Sequence, residues 1–221
     1  MFRSIAATGG RPDAMGLSGM RQRRVGQRWR AVGLGATFAV VLGLGACASF
    51  LPKSPDNIYD LAAPDSVGPT SGTRLQILVP EPSALKSLDT ERIAARPSDL
   101  EYAYLPKAVW TDRLPKLLQT KLMETLQNTG RVRAVGVPGQ GLLIDYQIIM
   151  DIRAFEIADN EAVVSLSIKL LNDRNGRVRA TRIVDARSPV SGSANGDYVG
   201  ALNAAMNQAF SEIAKWVLGR I

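Results

Sequence analysis

Leu142-Leu143-Ile144-Asp145-Tyr146-Gln147-Ile148-Ile149-Met150-Asp151-Ile152-Arg153-Ala154 is the stretch on which the fold turns. Leu142, Ile144, Tyr146, Ile148, Met150 and Ile152 fall on one side of a period-two alternation, and Asp145, Gln147, Asp151 and Arg153 on the other. That is the pattern of a half-buried β-strand, apolar toward a core and polar on its back. Ala162 to Leu171 repeats it, with Val164, Leu166, Ile168 and Leu170 set against Ser165, Ser167 and Lys169. Asn172-Asp173-Arg174-Asn175-Gly176 then turns the chain into a third strand, from Arg177 to Arg187, and its Asn-Gly pair is a strong hairpin signal. Between the first two strands, Glu156, Asp159 and Glu161 read as a solvated hairpin tip rather than as paired catalytic carboxylates.

Upstream, Arg74 to Val79 reads as a strand stopped by Pro80 and Pro82, Arg92 to Arg96 as a second stopped by Pro97, and Tyr102 to Leu105 as a short third. Thr111 or Asp112 can cap a helix whose Leu114, Leu117, Leu118, Leu122 and Leu126 recur at three- and four-residue spacings, with Gly130 just past its end. Asp197 starts a final helix marked on one face by Tyr198, Leu202, Ala205, Ala209, Ile213 and Trp216 to Val217. Two one-faced helices and a largely antiparallel sheet predict a single α+β domain of roughly 150 residues, with both helices on one face of the sheet. We place that domain at residues 73–221.

The formal net charge of +7 suggests an anionic partner until its distribution is read. Seven arginines and one acid precede Cys47, so of the 27 basic and 20 acidic residues, 20 and 19 remain after it. A nearly neutral remainder lacks the basic surplus of a nucleic-acid-binding protein. The chain has no histidine, which removes the usual triads and the commonest metal ligand, and it has one cysteine. Gly136-Val137-Pro138-Gly139-Gln140-Gly141 lacks the lysine and the following helix of a phosphate-binding loop. These absences point to no enzyme, no cofactor and no metal, and Gly136 to Gly141 reads as a mobile loop.

Arg21 to Arg30 stand directly before an apolar run from Ala31 to Ala46, the order of a bacterial export signal. At about 16 residues the run falls short of the ~20 that cross a bilayer as a helix. Met15 and Met20 lie upstream of the arginines, so translation from either still supplies a complete signal. Leu44-Gly45-Ala46-Cys47 resembles the lipobox of bacterial lipoproteins. The resemblance implies cleavage between Ala46 and Cys47, a diacylglycerol on the Cys47 thiol and an acyl group on its new amine. The competing reading, a small buried cysteine in a membrane helix, leaves a solitary thiol unexplained in an oxidising compartment. Ala48 stands where an aspartate would signal inner-membrane retention in that family, which implies the periplasmic face of the outer membrane. Residues 1–46 are thus expected to be the signal and 47–72 the lipidated N-terminus and tether. Pro52, Pro55, Pro64 and Pro69 support an extended tether; a loop packed on the domain is the alternative for the part after Ile58.

Arg92-Ile93-Ala94-Ala95-Arg96-Pro97, Glu101-Tyr102-Ala103-Tyr104, Trp110, Leu114-Pro115-Lys116-Leu117-Leu118-Gln119 and Thr129-Gly130-Arg131-Val132 follow one another in an order that resembles the ABC-type transport auxiliary lipoprotein component family. The paraquat-inducible protein C-like lipoproteins belong there, and Tyr59-Asp60-Leu61 resembles the family's opening strand. The resemblance implies a structural partner of an ABC permease and ATPase and of a mammalian-cell-entry-domain protein, in machinery that moves lipid between membranes. It also allows a homo-oligomeric ring. One sheet face, or the loop from Gly136 to Gly141, would bind the partner, with Tyr102 and Trp110 as candidate interface anchors because aromatics concentrate at hot spots. A core position is the alternative for both. A regulator of a cell-wall or other envelope enzyme and a periplasmic lipid carrier are the competing functions.

The lipidation reading makes a direct prediction. Cys47→Ser should leave an uncleaved precursor that incorporates no labelled palmitate, and undiminished labelling would refute it.

Overall fold

In the computed structural model of the 221-residue chain, residues 57–69 and 72–221 are described, and they belong to one compact unit. Cys47, Ala46 and the expected export signal lie outside the described residues. In chain order the elements are β1 (Asn57–Tyr59), β2 (Gln76–Leu78), β3 (Ser83–Ala84), β4 (Arg92–Ser98), β5 (Glu101–Trp110), α1 (Leu114–Asn128), β6 (Ala134–Gly136), β7 (Tyr146–Ala158), β8 (Glu161–Asn172), β9 (Arg177–Pro189) and α2 (Asn195–Leu218). This is the expected α+β domain.

Its sheet is organised around β7. One edge of β7 pairs antiparallel with β8 along its length, and β8 pairs antiparallel with β9 in turn. The other edge is divided among three short parallel partners: β2 at Tyr146 and Gln147, β3 at Asp151 and Ile152, and β4 at Glu156 to Ala158. Two arms therefore leave β7, β2 with β6 at its beginning and β4 with β5 and β1 at its end. Antiparallel pairing dominates by length, while the parallel contacts hold the arms.

Alternation along β7 and β8 puts Ile148, Met150, Ile152, Val164, Leu166, Ile168 and Leu170 into the core. A bulge interrupts β7: Ile152 opposes Leu166 and Ala154 opposes Ser165, so Arg153 is an extra, unpaired residue. Even-numbered residues face the core before it, and Phe155 and Ile157 face it afterwards. α2 packs over β7, β8 and β9 through Leu202, Ala205, Met206, Ala209, Phe210, Ile213 and Val217, all fully buried. Leu114, Leu117, Leu118, Leu122 and Leu126 give α1 its buried stripe, as the spacing predicts. Gly130 closes α1 at φ 61, where a side chain would strain the backbone.

Several expectations are corrected. The strand expected over 142–154 begins only at Tyr146, because the Asp145 carboxylate accepts the Gln76 backbone N–H at 2.9 Å and the Leu143 carbonyl accepts the Gln76 side-chain amide at 2.9 Å. Those bonds draw residues 143–145 out of the ladder and leave Leu143 86 % exposed. β4 and β5 run through Pro97 and Pro106 as an antiparallel pair with bulges rather than stopping before them. Pro97 and Pro106 are both exposed, at irregular points of that pairing where the missing N–H breaks no ladder bond.

The N-cap of α1 is Arg113 rather than Thr111 or Asp112; the Asp112 carboxylate accepts the Arg113 N–H, one residue ahead of the helix. In α2, Asp197 lies within the first turn, where its carboxylate accepts the Ala194 N–H at 2.9 Å. The tether reading fails for the described residues from 57 onward. β1 pairs with β5, Leu61, Pro64 and Val67 are buried, and the Ala62 N–H donates to Asn203 of α2. The folded domain thus begins at residue 57, not 73.

Candidate interface on the uncovered sheet face

Facing cross-strand neighbours share a face of the sheet, so the pairings Tyr104 with Ala94, Ala94 with Glu156, Glu156 with Val163 and Val163 with Arg187 define one row. That row lies on the side opposite Phe155 and Ile157, away from the helices. Arg92 stacks on Tyr104, its guanidinium carbon 3.6 Å from the ring centroid, and Arg96 stands 5.2 Å over Tyr102. Arg96 Nη1 donates to Glu156 Oε1 at 3.0 Å, and Arg96 Nη2 donates to the Asp99 carbonyl at 2.7 Å. The Tyr104 hydroxyl donates to the Ser87 carbonyl at 3.2 Å.

Glu156 corrects the solvated-tip reading. Its side chain is only 2 % exposed, against 34 % for Arg96. The turn at Asp159 and Asn160, both at positive φ, is solvated as expected, but Glu156 lies behind it under the Arg96 guanidinium. Arg96 Nε and Glu156 Oε2 are buried without a hydrogen-bond partner among the described residues. A buried carboxylate with an unfilled bonding position carries a desolvation cost that the half-exposed Arg96 guanidinium offsets. The Glu156 carboxylate in turn holds the Arg96 guanidinium firmly protonated, and burial, reinforced by that same carboxylate, pushes the Tyr102 phenol up. The cluster carries paired cationic and aromatic groups but no nucleophile or base set against a cleft. Arg and Tyr are the residue types that interface hot spots favour.

The candidate anchors separate. Tyr102 is half-buried within this cluster. Trp110 is 2 % exposed and meets Phe155 edge-on, with centroids 6.0 Å apart, so it is a core residue and presents no interface surface in this fold. The Gly136–Gly141 loop belongs to the other arm, about ten residues of β7 away, or roughly 30 Å at a strand's rise per residue. It forms no common site with Tyr102. Among the described residues no three Cys, Asp or Glu side chains converge as a metal site would require, and no helix is long and apolar enough to cross a membrane. Sequence reading missed Arg92, Arg96 and Glu156 as a group. A single Glu inside the apolar run Ala154-Phe155-Glu156-Ile157 was the available signal.

The motif residues that meet in this cluster, Arg92, Arg96, Tyr102 and Tyr104, fall within a match of residues 59–214 to the family model for the ABC-type transport auxiliary lipoprotein component. The chain belongs to that family. The match spans nearly all of the folded domain and begins inside β1. An uncharacterized protein, bll6063, of Bradyrhizobium diazoefficiens is 32% identical over 166 residues, which cover 73% of this chain and 43% of that protein. The chain therefore spans less than half the length of this curated relative. The crystal structure of XCC0632 from Xanthomonas campestris, which carries the family model DUF330, superposes with a TM-score of 0.69 at 26% identity, over 74% of this chain and 95% of that one. A second crystal structure, of an uncharacterized protein, shares the fold at a TM-score of 0.60 and 18% identity, over 72% and 97% of the two chains. The domain thus has the fold of the family to which it belongs.

If Arg96 compensates the buried Glu156 carboxylate, Arg96→Met should lower the stability measured by denaturant unfolding. Glu156→Leu in the same background should restore most of it. Additive losses in that double-mutant cycle would show that the two residues do not act as a pair.

Proposed function

We propose that this protein is a lipid-anchored periplasmic subunit that couples an ABC permease and ATPase to a mammalian-cell-entry-domain partner in moving lipid between membranes. The family match over residues 59–214 is the observation that carries the reading. Cleavage before Cys47 and acylation there would leave residues 47–56 as a short tether, ahead of a domain that starts at Asn57. At ~3.3 Å per residue that tether reaches at most about 30 Å, so the domain would work close to the outer-membrane surface.

The uncovered sheet face is the docking surface in this reading. Arg92 and Arg96, stacked on Tyr104 and Tyr102, would meet acidic and backbone acceptor groups of the partner. The role is structural: it supplies affinity and register rather than turnover.

Photocrosslinking tests this in intact envelopes. A benzophenone amino acid at Tyr102 should crosslink to a mammalian-cell-entry or ABC component, and one at exposed Asp112, off the cluster, should not. Arg92→Ala should reduce recovery of that complex several-fold. Exclusive crosslinking to a cell-wall enzyme, or recovery of no transporter component with the intact protein, would overturn the proposal.

A further inference from the structure

At the opposite end of β7 the chain builds a second polar feature, which the assembly role does not use. There the sheet opens. β2 meets residue 145 twice, the Asp145 N–H donating to the Gln76 carbonyl at 3.0 Å and the Asp145 carboxylate accepting the Gln76 N–H at 2.9 Å, and the Asp145 carbonyl accepts the N–H of Asp173 at 2.9 Å, which holds the β8–β9 turn against the start of β7. Three arginines from three separate segments converge on the resulting open cleft of about 440 Å3: Arg74 from the lead into β2, Arg133 from the lead into β6 and Arg174 from the β8–β9 turn. Gln76, Leu143 and Asp145 line it with them.

Charge decides what such a cleft receives. Asp145 is its single acid, and it is already committed, accepting from the Gln76 N–H at 2.9 Å and from Arg174 Nη2 at 2.5 Å. The Gln76 N–H, with Arg174 and Arg133, holds that carboxylate below the usual range, so it stays ionised and keeps Arg174 in place. Neither Arg74 nor Arg133 has a carboxylate within 4.0 Å among the described residues, and Arg174 spends one arm of its fork on Asp145. The cleft thus carries two positive charges in excess, on planar groups suited to bidentate capture of phosphate oxygens.

An apolar residue fixes the source of the phosphate. Leu143 stands 86 % exposed on the same cleft, held there by the bond from the Gln76 side chain to its own carbonyl. A free phosphate has no use for it, whereas the acyl-glycerol part of a lipid does. We infer that the cleft formed by Arg74, Arg133, Arg174 and Leu143 binds the phosphodiester headgroup of an anionic phospholipid. Arg74 and Arg133 take the phosphate oxygens, Arg174 is fixed beside them by Asp145, and Leu143 lies along the first carbons of an acyl chain. This assignment rests on the cleft and holds whichever partner the uncovered sheet face receives.

The test uses the full lipidated chain held by its own anchor in nanodiscs of phosphatidylcholine. Calorimetric titration with dibutyryl-phosphatidylglycerol, whose chains are too short to enter the disc, should give saturable binding. Dibutyryl-phosphatidylcholine and inorganic phosphate should bind more weakly. Arg74→Gln with Arg133→Gln should weaken phosphatidylglycerol binding at least tenfold at an unchanged melting temperature, since both side chains are exposed. Leu143→Ser should weaken the lipid several-fold and leave phosphate unaffected. No saturable binding up to about 10 mM, a concentration that reveals even millimolar affinity, would overturn the assignment, as would equal affinity in the arginine double variant. Phosphate bound as tightly as the lipid, with Leu143→Ser silent, would make this a free-anion site and overturn the lipid assignment.

Discussion

Every part of this domain hangs on which way the side chains of β7 point. A strand gives its residues to two faces in strict alternation, so a slip of one position would expose Ile148, Met150 and Ile152 and bury Gln147 and Asp151. β7 is also the strand on which both arms meet, with β8 along one edge and β2, β3 and β4 at intervals along the other. Its phase is therefore passed on to both arms and to both helices that cover the core. The bulge at Arg153 lets this long strand bend and twist between its arms without reversing the phase of the partner ladder.

Two surfaces with different chemistry follow from that arrangement. At the end of β7, β4 and β5 bring Arg92, Arg96, Tyr102 and Tyr104 over the buried Glu156. At its beginning, the loose junction with β2 leaves room for Arg74, Arg133 and Arg174. The near-neutral balance of the chain after Cys47 conceals this: arginines gather at both ends of one strand, while acids such as Asp145 and Glu156 serve to position them. Net charge rules on partners only as an average, and recognition is local.

Period-two alternation, helical leucine spacing and the Asn-Gly turn are properties of adjacent residues, so β8, β9, α1 and the α+β class are legible in the amino-acid sequence itself. What the sequence conceals depends on contacts between distant segments. Leu142 to Asp145 continue the alternation perfectly, yet Gln76, some 70 residues away, withdraws them from the sheet. Glu156 reads as a hairpin-tip acid until Arg96, sixty residues upstream, is placed over it. Pro64 and its neighbours have a tether's composition, but Leu61, Val67 and the bond from Ala62 to Asn203 fold them onto the domain. Trp110 is the right residue type for an interface anchor, and only its packing on Phe155 assigns it to the core. The two proposed surfaces are therefore the least legible parts, because each is assembled from several strands.

Single-residue deletion tests the central claim most directly. Arg153 is the one residue of β7 without an opposite number in β8, so its deletion should close the ladder, keep Phe155 and Ile157 on the core face and cost no more than about 2 kcal/mol in denaturant unfolding. Ser167 is equally polar and also faces away from the helices, but it is paired on both sides, with Asp151 and Ile183. Its deletion reverses the faces of half of β8 and should abolish the native fold. Equal losses from the two deletions would contradict the account, for they would mean that strand phase is not what holds the domain together.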